Sequence, residues 1–487
     1  ACRYWLDPDD SGARAENRKV QLDEDRLCYF DENGCMAFGE YLEHGGWYYY
    51  DEKTGAQCRG PVVLPDGRQV FYSLTNGKML YGKQTICGTS FTFNTVNGSR
   101  SSGPDGLFWL EWGGKRYWFE SWKRQGYNPY DSSYRGKEIY DPASDAWYWL
   151  DNIQTGAMAA SKDVYQESNG GKWVRYDENG HMVKGWDVNE NGTYYFDQIT
   201  GAMAKGALLL DDVQYGFDPI MGTMLDCQWL HTEVGDYWYE GGIRQGTEGR
   251  GKEIYDLASD AWYWLDAVDN GKKAVSKDVY QESDGGKWVR YDENGHMIKG
   301  ENCQNGNWYY FEPVTGAMIH GPWTLPDGRK VYYDLTTGIM QYGNVSINGS
   351  LYYFDPVYGT MKSGALTNFW VTDGNGKSFW YESWVRQGWQ PGSSNYRGKE
   401  IYDPASGAWY WLDNVQQGAK ATSKEVYQDS NGGKWVRYDA NGHMIKGWYT
   451  QDGKTWYYDL TTGAMYKGWH TIEGSTYHFD ETTGVKG

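Results

Sequence analysis

Residues 456–465 read Trp-Tyr-Tyr-Asp-Leu-Thr-Thr-Gly-Ala-Met, and this short stretch predicts the fold. The three consecutive aromatic residues favour an extended strand. The Asp-Leu-Thr-Thr-Gly segment is typical of a tight turn, in which the glycine is free to adopt a positive φ. Alanine and methionine then begin a short return strand. The stretch therefore predicts a β-hairpin.

The same phrase recurs along the chain at a nearly constant spacing. Met182, Met203 and Met224 lie 21 residues apart, and all of the 13 methionines except Met221 stand in a comparable phrase. A single two-stranded hairpin is marginally stable in water, whereas stacked hairpins bury their aromatic faces against their neighbours. The sequence therefore predicts an all-β solenoid of tandem aromatic-rich hairpins. Its core is expected to contain tryptophan, tyrosine and methionine, with little leucine or isoleucine.

A longer period lies over the short one. The phrase Arg-Gly-Lys-Glu-Ile-Tyr-Asp occurs at 135–141, 250–256 and 397–403, within expanded variants of the hairpin, and residues 46–186 match residues 307–448 at an offset of 261 or 262. We therefore divide the chain into five segments: a degenerate N-terminal repeat unit (1–45), hairpin repeats with an expanded unit (46–205), a shorter expanded unit (206–300), hairpin repeats with an expanded unit (301–448), and standard hairpin repeats (449–487).

Composition excludes several classes of protein. The formal charge of −19 argues against nucleic-acid binding, which requires a basic surface, and the aromatic content of 17% argues against disorder. No apolar run of 18 residues is present, so the chain is not expected to span a membrane. Residues 1–5 do not form a secretory signal, and both a mature protein and a piece of a longer one fit. The seven cysteines allow one or two N-terminal bridges and leave at least one free thiol unless it pairs between chains.

Consecutive units open with Gly447-Trp448 and Gly468-Trp469 and enclose the phrase quoted first. This pattern resembles the cell-wall-binding repeats of Gram-positive surface proteins, a superfamily that includes choline-binding and glucan-binding repeats. The resemblance implies a hairpin solenoid that attaches proteins to the envelope or binds polysaccharide, on the cell surface or after secretion. Near-standard copies occur at 46–60, 186–206, 301–321, 322–343, 344–364, 447–468 and 468–487.

The resemblance also implies aromatic cages between successive hairpins. Quaternary ammonium groups bind over Trp and Tyr rings by cation–π attraction, and sugar rings lie on exposed aromatic faces. Carried over to this chain, the first candidate cage consists of Trp448, Trp456, Met465, Trp469 and Tyr477, and the second of Trp186, Tyr194 and Met203. The alternative is that these side chains form only the solenoid core. At three further joints Glu301, Pro322 and Asn344 interrupt the pattern.

A recurrent set of arginines is a second candidate for ligand binding. Guanidinium groups suit bidentate recognition of phosphate or carboxylate. The alternative, which we favour, is a structural ion pair with Glu138, Glu253 and Glu400. The candidate arginines are Arg124, Arg135, Arg244, Arg250, Arg386 and Arg397.

Catalysis, cofactors and metal binding find little support. His181, His296 and His443 recur far apart in sequence, which favours a turn-side hydrogen bond or ring stacking over a shared metal site. Glu120 and Glu382 recur in two copies, whereas an enzyme usually concentrates one site in one cleft. The stretch from Asp187 resembles the start of a calcium-binding loop, but Gln198 stands where a bidentate glutamate is required, so it is interpreted as a hairpin turn.

These observations favour a non-enzymatic protein that binds cell-wall polymer, choline-like groups or polysaccharide. One alternative is an adhesin whose repeated surface binds a host protein, such as an immunoglobulin, or a host glycan. Another is the targeting arm of an enzyme whose catalytic domain lies elsewhere. In each case, several weak sites along the repeats would combine by avidity.

Overall fold

A computed structural model describes residues 2–23, 26–167, 170–429 and 432–487. Short antiparallel strands make up nearly all of the regular structure, and short 3₁₀ turns occur at Pro8–Asp10, Ala267–Asp269, Ser283–Gly285 and Asn414–Gln416. The chain forms two compact units, Ala1–Asp226 and Cys227–Gly487. The finer division into five segments stays a prediction. The predicted fold, a solenoid of β-hairpins, is confirmed.

The strands of the first unit are β1 (Leu6–Asp7), β2 (Ala13–Arg14), β3 (Arg18–Asp23), β4 (Arg26–Phe30), β5 (Gly39–Glu43), β6 (Gly46–Tyr50), β7 (Gly60–Val63), β8 (Gln69–Tyr72), β9 (Gly82–Ile86), β10 (Thr89–Phe93), β11 (Arg100–Ser102), β12 (Leu107–Trp112), β13 (Lys115–Glu120), β14 (Lys123–Arg124), β15 (Gly136–Asp141), β16 (Ala146–Asp151), β17 (Ala157–Met158), β18 (Lys162–Gln166), β19 (Lys172–Tyr176), β20 (Gly185–Asn189), β21 (Gly192–Phe196), β22 (Gly206–Leu210) and β23 (Val213–Phe217).

The strands of the second unit are β24 (Gln228–Thr232), β25 (Gly235–Glu240), β26 (Ile243–Arg244), β27 (Gly251–Asp256), β28 (Ala261–Asp266), β29 (Lys272–Lys273), β30 (Lys277–Gln281), β31 (Lys287–Tyr291), β32 (Gly300–Gln304), β33 (Asn307–Phe311), β34 (Gly321–Thr324), β35 (Lys330–Tyr333), β36 (Gly343–Ile347), β37 (Ser350–Phe354), β38 (Met361–Ser363), β39 (Phe369–Thr372), β40 (Ser378–Glu382), β41 (Val385–Arg386), β42 (Gly398–Asp403), β43 (Ala408–Asp413), β44 (Ala419–Lys420), β45 (Lys424–Gln428), β46 (Lys434–Tyr438), β47 (Gly447–Gln451), β48 (Lys454–Tyr458), β49 (Gly468–Ile472) and β50 (Ser475–Phe479).

The hairpin of β47 and β48 shows how the quoted stretch folds. Trp448 pairs with Tyr457 in the antiparallel register. At the end of β48 the carboxylate of Asp459 accepts the backbone N–H groups of Thr461 at 3.0 Å and Thr462 at 2.7 Å. The N–H of Gly463, whose φ is +67°, donates to the Asp459 carbonyl at 2.9 Å. The Asp and Gly of the phrase therefore close the turn, and the interpretation of 187–192 as part of a hairpin is likewise confirmed, with residues 190–191 forming the turn between β20 and β21.

Ten methionines of the phrase donate their backbone N–H to a carbonyl of an earlier segment. The backbone N–H of Met203 donates to the Trp173 carbonyl at 2.8 Å, and Met465 donates to Trp435 at the same distance. The methionine side chain then reaches the turn of the following hairpin. A Cβ atom added to Gly201 would lie 2.4 Å from the Met182 sulfur. The contact between the methionine of one hairpin and the turn glycine of the next therefore stacks successive hairpins of the solenoid.

This contact predicts a strong effect of Gly201→Ala. The new Cβ would displace the sulfur of Met182, and alanine would have to adopt a φ of +66°. We expect a loss of about 2–4 kcal/mol in the free energy of unfolding, from overpacking and backbone strain together. Urea titration followed by tryptophan fluorescence measures it. Gly206→Ala is the matched control, because its φ is +72° but no atom lies within 4 Å of the added Cβ. Equal losses for both variants would contradict the stacking contact.

The expanded copies form wider sheets. In the first unit the strand order is β12-β13-β17-β16-β15, and in the second β39-β40-β44-β43-β42. A tryptophan from the turn after β13 or β40 fills the space beneath each sheet. Trp122 and Trp384 are fully buried, and their indole N–H groups donate to the carbonyls of Val70 at 3.1 Å and Val331 at 3.0 Å.

The largest fully buried side chains in the described chain are these two tryptophans and ten tyrosines, in agreement with the predicted aromatic core. The expectation of a methionine-rich core with little leucine or isoleucine is wrong, because leucines and isoleucines such as Leu150 and Ile254 fill many buried positions, whereas Met79 and Met340 are the buried methionines among the described residues.

One of the predicted N-terminal bridges is present, between Cys2 and Cys35. Cys28, Cys58 and Cys303 are among the residues that keep free thiols.

Candidate functional site

The predicted C-terminal cage is partly assembled. Trp448 follows Gly447 at the start of β47 and is 43% exposed. Its ring centroid lies 5.0 Å from that of Tyr477 in the next hairpin and 4.9 Å from that of Tyr457 on the opposite strand. The ammonium of Lys486 lies 4.8 Å from the Tyr477 centroid and 5.5 Å from the Trp448 centroid. The cation of the chain itself therefore occupies this cage.

The same arrangement recurs around Trp186, but without a cation of the chain. The Trp186 ring lies 5.1 Å from Tyr195 on the opposite strand and 5.1 Å from Tyr215 in the next hairpin. Met224 takes the register position that Lys486 takes at the C-terminal cage, because each pairs with the last aromatic residue of its own hairpin. In the described part of the chain, no lysine or arginine lies over these three rings. Among the described residues, the Trp186 rings therefore lack the chain's own cation that covers the Trp448 rings.

Trp456 and Tyr194 lie outside these two cages. Both side chains are buried, and each lies under a guanidinium group. The Arg437 guanidinium is 4.9 Å from the Trp456 centroid, and that of Arg175 is 4.1 Å from the Tyr194 centroid. Arg175 also pairs with two carboxylates on neighbouring strands. These two aromatic residues thus belong to structural clusters inside the solenoid.

Met203 and Met465 likewise pack within the stack. A Cβ atom at Gly222 would lie 2.5 Å from the Met203 sulfur, and one at Gly484 would lie 2.3 Å from the Met465 sulfur. Trp469, by contrast, is 72% exposed and contacts no ring of the Trp448 cage. The structure therefore brings together Trp448 and Tyr477 from the first predicted set, and it separates the other three.

The residues that sequence reasoning missed have a recognisable signal. Tyr195 and Tyr457 stand directly opposite the cage tryptophans in the strand register. The choice between neighbouring aromatic residues is therefore a matter of strand face, since successive side chains point to opposite sides. Lys486 carries a second signal, because it replaces the methionine of the repeated phrase.

Three further ring clusters lie in the expanded copies. Within each cluster neighbouring ring centroids are 4.9 to 5.1 Å apart. The clusters are Trp109 with Trp118 and Tyr148, Trp229 with Trp238 and Tyr263, and Trp370 with Trp380 and Tyr410. His181, His296 and His443 each pack edge-on against the tyrosine of one cluster at 5.3 Å, in agreement with the predicted stacking role.

A cation of the chain lies over each of these clusters. Arg116 lies 4.7 Å above Trp109, Lys273 lies 5.4 Å above Trp229, and Lys420 lies 5.6 Å above Trp370. The two lysines stand at the register position that Met158 takes in the first copy. The charge thus comes from a different strand in the first copy, but every expanded cluster carries its own cation.

Pairs of partly exposed rings form a second kind of aromatic surface. In each pair a tyrosine and a tryptophan face each other across two strands, with centroids 5.2 to 5.5 Å apart and the tryptophan 38 to 43% exposed. We call them the exposed pairs: Tyr140–Trp147, Tyr165–Trp173, Tyr255–Trp262, Tyr280–Trp288, Tyr402–Trp409 and Tyr427–Trp435. Lys205 lies 5.6 Å from the Trp173 centroid and Arg250 lies 5.6 Å from the Tyr280 centroid, whereas no cation of the described residues lies over a ring of the other four pairs.

Three of the candidate arginines pack on aromatic residues. The Arg124 guanidinium lies 4.5 Å from the Tyr127 centroid. Arg244 and Arg386 each donate from Nε to the hydroxyl of a tyrosine on the neighbouring strand, at 3.2 Å and 3.0 Å. These guanidinium groups are therefore oriented by ring contacts.

The other three arginines, Arg135, Arg250 and Arg397, are exposed, and their predicted pairing with Glu138, Glu253 and Glu400 is wrong. Arg250 instead lies 3.2 Å from Glu282, and Arg397 lies 3.8 Å from Asp429. An odd spacing of three residues along an extended segment places two side chains on opposite faces. The glutamates accept other donors, as in Gln166 to Glu138 at 2.9 Å.

The carboxylates considered for catalysis have structural partners. Glu120 accepts the indole N–H of Trp118 at 3.2 Å and the ammonium of Lys137 at 2.9 Å, and Glu382 has equivalent partners at the same distances. Within the described ranges, no group of three or more His, Cys, Asp or Glu side chains is arranged to hold a metal ion. No described helix is long and apolar enough to cross a membrane.

Comparison with known proteins matches these repeats to a family. Residues 21–60, 167–208, 282–323 and 428–468 match the choline-binding repeat, which is a binding module. The chain is 23% identical over 342 residues to glucosyltransferase-I of Streptococcus downei and 24% identical over 196 residues to glucosyltransferase-S of Streptococcus mutans. These matches cover 68% and 37% of this chain and 20% and 13% of the two enzymes. These four segments are therefore similar to the choline-binding repeat, and the chain spans at most a fifth of the length of the two glucosyltransferases.

Solved structures with related repeats include choline binding protein F of Streptococcus pneumoniae, with 16% identity, coverage of 71% of this chain and 98% of that chain, and a TM-score of 0.24. A modular autolysin of the same species has 21% identity, coverage of 53% and 52%, and a TM-score of 0.32.

Proposed function

We propose that the chain is a non-catalytic binding protein of the Gram-positive cell surface or its secretions, and that it attaches to cell-wall polymer or polysaccharide through exposed aromatic rings. The exposed pairs carry this proposal. Their tryptophans keep nearly the same exposure in all three expanded copies, 38 to 39% in one position and 41 to 43% in the other. Large apolar rings held half in water at equivalent positions are suited to stacking against sugar rings.

Binding to purified material tests the proposal. The full chain is incubated with purified Gram-positive cell walls and, separately, with insoluble α-glucan, and is eluted first with choline and then with soluble glucan. We expect retention on at least one material and release by soluble glucan, because sugar stacking on the exposed pairs is the main contact. Absence of retention on both would overturn the proposal and would favour a host protein or host glycan as the partner.

The Trp186 cage supports a second ligand class, a quaternary ammonium such as choline. Its ring spacing matches that of the C-terminal cage, and Met224 takes the strand-register position that Lys486 takes there. An uncharged thioether leaves the ring faces available to an external cation. We therefore assign choline-type binding to this cage and to none of the filled ones.

A pair of tryptophan substitutions tests this assignment. Trp186→Ala is expected to lower choline affinity at least about 10-fold, since cation–π contacts contribute up to about 2 kcal/mol when desolvated. Trp448→Ala is expected to leave choline affinity unchanged, because Lys486 already occupies that cage. Isothermal titration calorimetry with choline measures both. A loss on Trp448→Ala with no loss on Trp186→Ala would reverse the assignment.

A second function, as the binding arm of a larger enzyme, is favoured by one observation. The matches cover only 20% and 13% of the length of the two glucosyltransferases, so these enzymes are much longer than the segments that match. Sequencing the complete reading frame around this chain tests this alternative directly.

A further inference from the structure

The first unit contains a cavity of about 570 Å³ that none of the aromatic sites uses. It lies beside β7, β13 and β14, and its lining includes Gln57, Cys58, Val62, Trp112 and Arg124. Its volume falls in the range that small-molecule sites occupy, roughly 300–1,000 Å³. The cavity is thus large enough for a monosaccharide with one substituent.

The charge of the lining is opposite to that of the chain. Arg59, Lys115, Lys123 and Arg124 line the cavity together with a single carboxylate, Asp51. The chain as a whole carries a formal charge of −19. A concentration of cations in one concave site raises the local concentration of anions.

The four cations lack a carboxylate partner among the described residues, although Arg59 donates to the Leu74 carbonyl at 3.4 Å, whereas the carboxylate of Asp51 has hydrogen-bond donors of its own. Asp51 accepts the backbone N–H of Thr54 at 2.8 Å and the hydroxyl of Tyr130. None of the four cations lies within 4 Å of a carboxylate in the described ranges. The Arg124 guanidinium is held over Tyr127 at 4.5 Å, and the Nε2 atom of Gln57 is buried without a hydrogen-bond partner. The lining therefore offers hydrogen-bond donors that lack an acceptor.

The second unit shows what closes the equivalent space. At the matching positions Val62 is replaced by Trp323, Cys58 by Ile319 and Tyr127 by Trp389. The rings of Trp323 and Trp389 lie 6.0 Å apart and pack on the core.

The corresponding arginine of the second copy already has hydrogen-bond acceptors within the chain. Arg386, which corresponds to Arg124, donates to the His320 carbonyl and the Tyr381 hydroxyl, each at 3.0 Å. The adjoining cavity measures only about 50 Å³. Smaller side chains in the first copy thus open a cavity and leave its arginine without these partners.

We propose that this cavity binds a phosphorylated sugar or polyol, with the phosphate on Arg124 and its neighbouring lysines. Guanidinium groups bind phosphate in a bidentate manner. The Trp112 ring, stacked on Tyr117 at 3.7 Å, provides a flat apolar wall for the carbon face of the ligand. The proposal depends on the cavity alone and holds whether or not the exposed pairs bind polysaccharide.

Calorimetric titration of the full chain with glucose 6-phosphate, inorganic phosphate and glucose tests the proposal. We expect saturable binding of glucose 6-phosphate, binding of inorganic phosphate that is several-fold weaker, and binding of glucose at least 10-fold weaker. Arg124→Gln is expected to lower the affinity for glucose 6-phosphate at least 10-fold. Arg386→Gln is the matched control and is expected to leave it unchanged, because the equivalent space is filled.

A second variant closes the cavity without removing a charge. Val62→Trp with Cys58→Ile introduces the side chains that the second unit already accommodates, and it is expected to abolish binding. Absence of saturable binding to the unaltered chain, or binding that survives both Arg124→Gln and the closing variant, would overturn the proposal. Equal affinities for inorganic phosphate and glucose 6-phosphate would overturn its sugar or polyol part.

Discussion

Replacing the six tryptophans of the exposed pairs by alanine is expected to lower the apparent affinity for insoluble glucan or cell walls by about 100- to 10,000-fold. Each pair alone is a weak site, so a single Trp147→Ala is expected to have an effect of only a few-fold. Linked weak sites multiply, because each later binding event is intramolecular. The loss should therefore grow more than proportionally with the number of tryptophans removed. Co-sedimentation isotherms on the insoluble polymer measure the series.

The chain provides a matched control for this series. Ile153, Val268 and Val415 are exposed apolar residues at one equivalent turn position in the three expanded copies, with 63 to 87% of their surface accessible. Their replacement by alanine removes exposed apolar area without removing a flat ring, and it is expected to leave polymer binding unchanged. Equal losses in both series would show that general hydrophobicity, and not ring stacking, holds the polymer.

Trp384→Ala is expected to lower the free energy of unfolding by about 3–5 kcal/mol, the usual cost of emptying the site of a buried Trp or Phe. The side chain is fully buried, and its ring lies 5.2 Å from Tyr352 and 5.9 Å from Phe369. The substitution also leaves the carbonyl of Val331 without the donor that lies at 3.0 Å. Urea titration of the full chain, followed by circular dichroism, measures the change.

Trp469→Ala is the control for this prediction. Its side chain is 72% exposed, so we expect a change within about 0.5 kcal/mol. A comparable cost for the two substitutions would mean that Trp384 does not anchor the sheet of its expanded copy.

The fold was predictable because the hairpin phrase is local and repeated. The Asp and Gly of residues 456–465 close a turn whose hydrogen bonds lie within five residues. The stacking contact was not predictable in detail, because it joins residues from different repeats, such as Met182 and Gly201. Their regular spacing indicated a repeat without showing that the methionine sulfur takes the place of a glycine side chain.

The cages were predictable in kind but only partly in membership. Trp448 and Tyr477 do meet, whereas Tyr194 lies under Arg175 and Trp186 meets Tyr195 in its place. Adjacent aromatic residues of a strand point to opposite faces, and composition does not indicate which face a cation of the chain will cover. The positions of Lys273 and Lys420 over the ring clusters of the expanded copies depend on strand pairing across each copy. That pairing cannot be derived from the phrase alone.

The backbone link from these methionines to earlier segments has a consequence for biosynthesis. Each of their return strands has a partner that precedes it in the chain, as Trp173 precedes Met203 and Trp435 precedes Met465. A hairpin emerging from the ribosome therefore meets a template that has already been translated, and it need not wait for distant segments. Because the contacts are short in sequence separation, the loop-closure entropy of each step is small. The order of translation and the order of folding can thus coincide, one hairpin at a time.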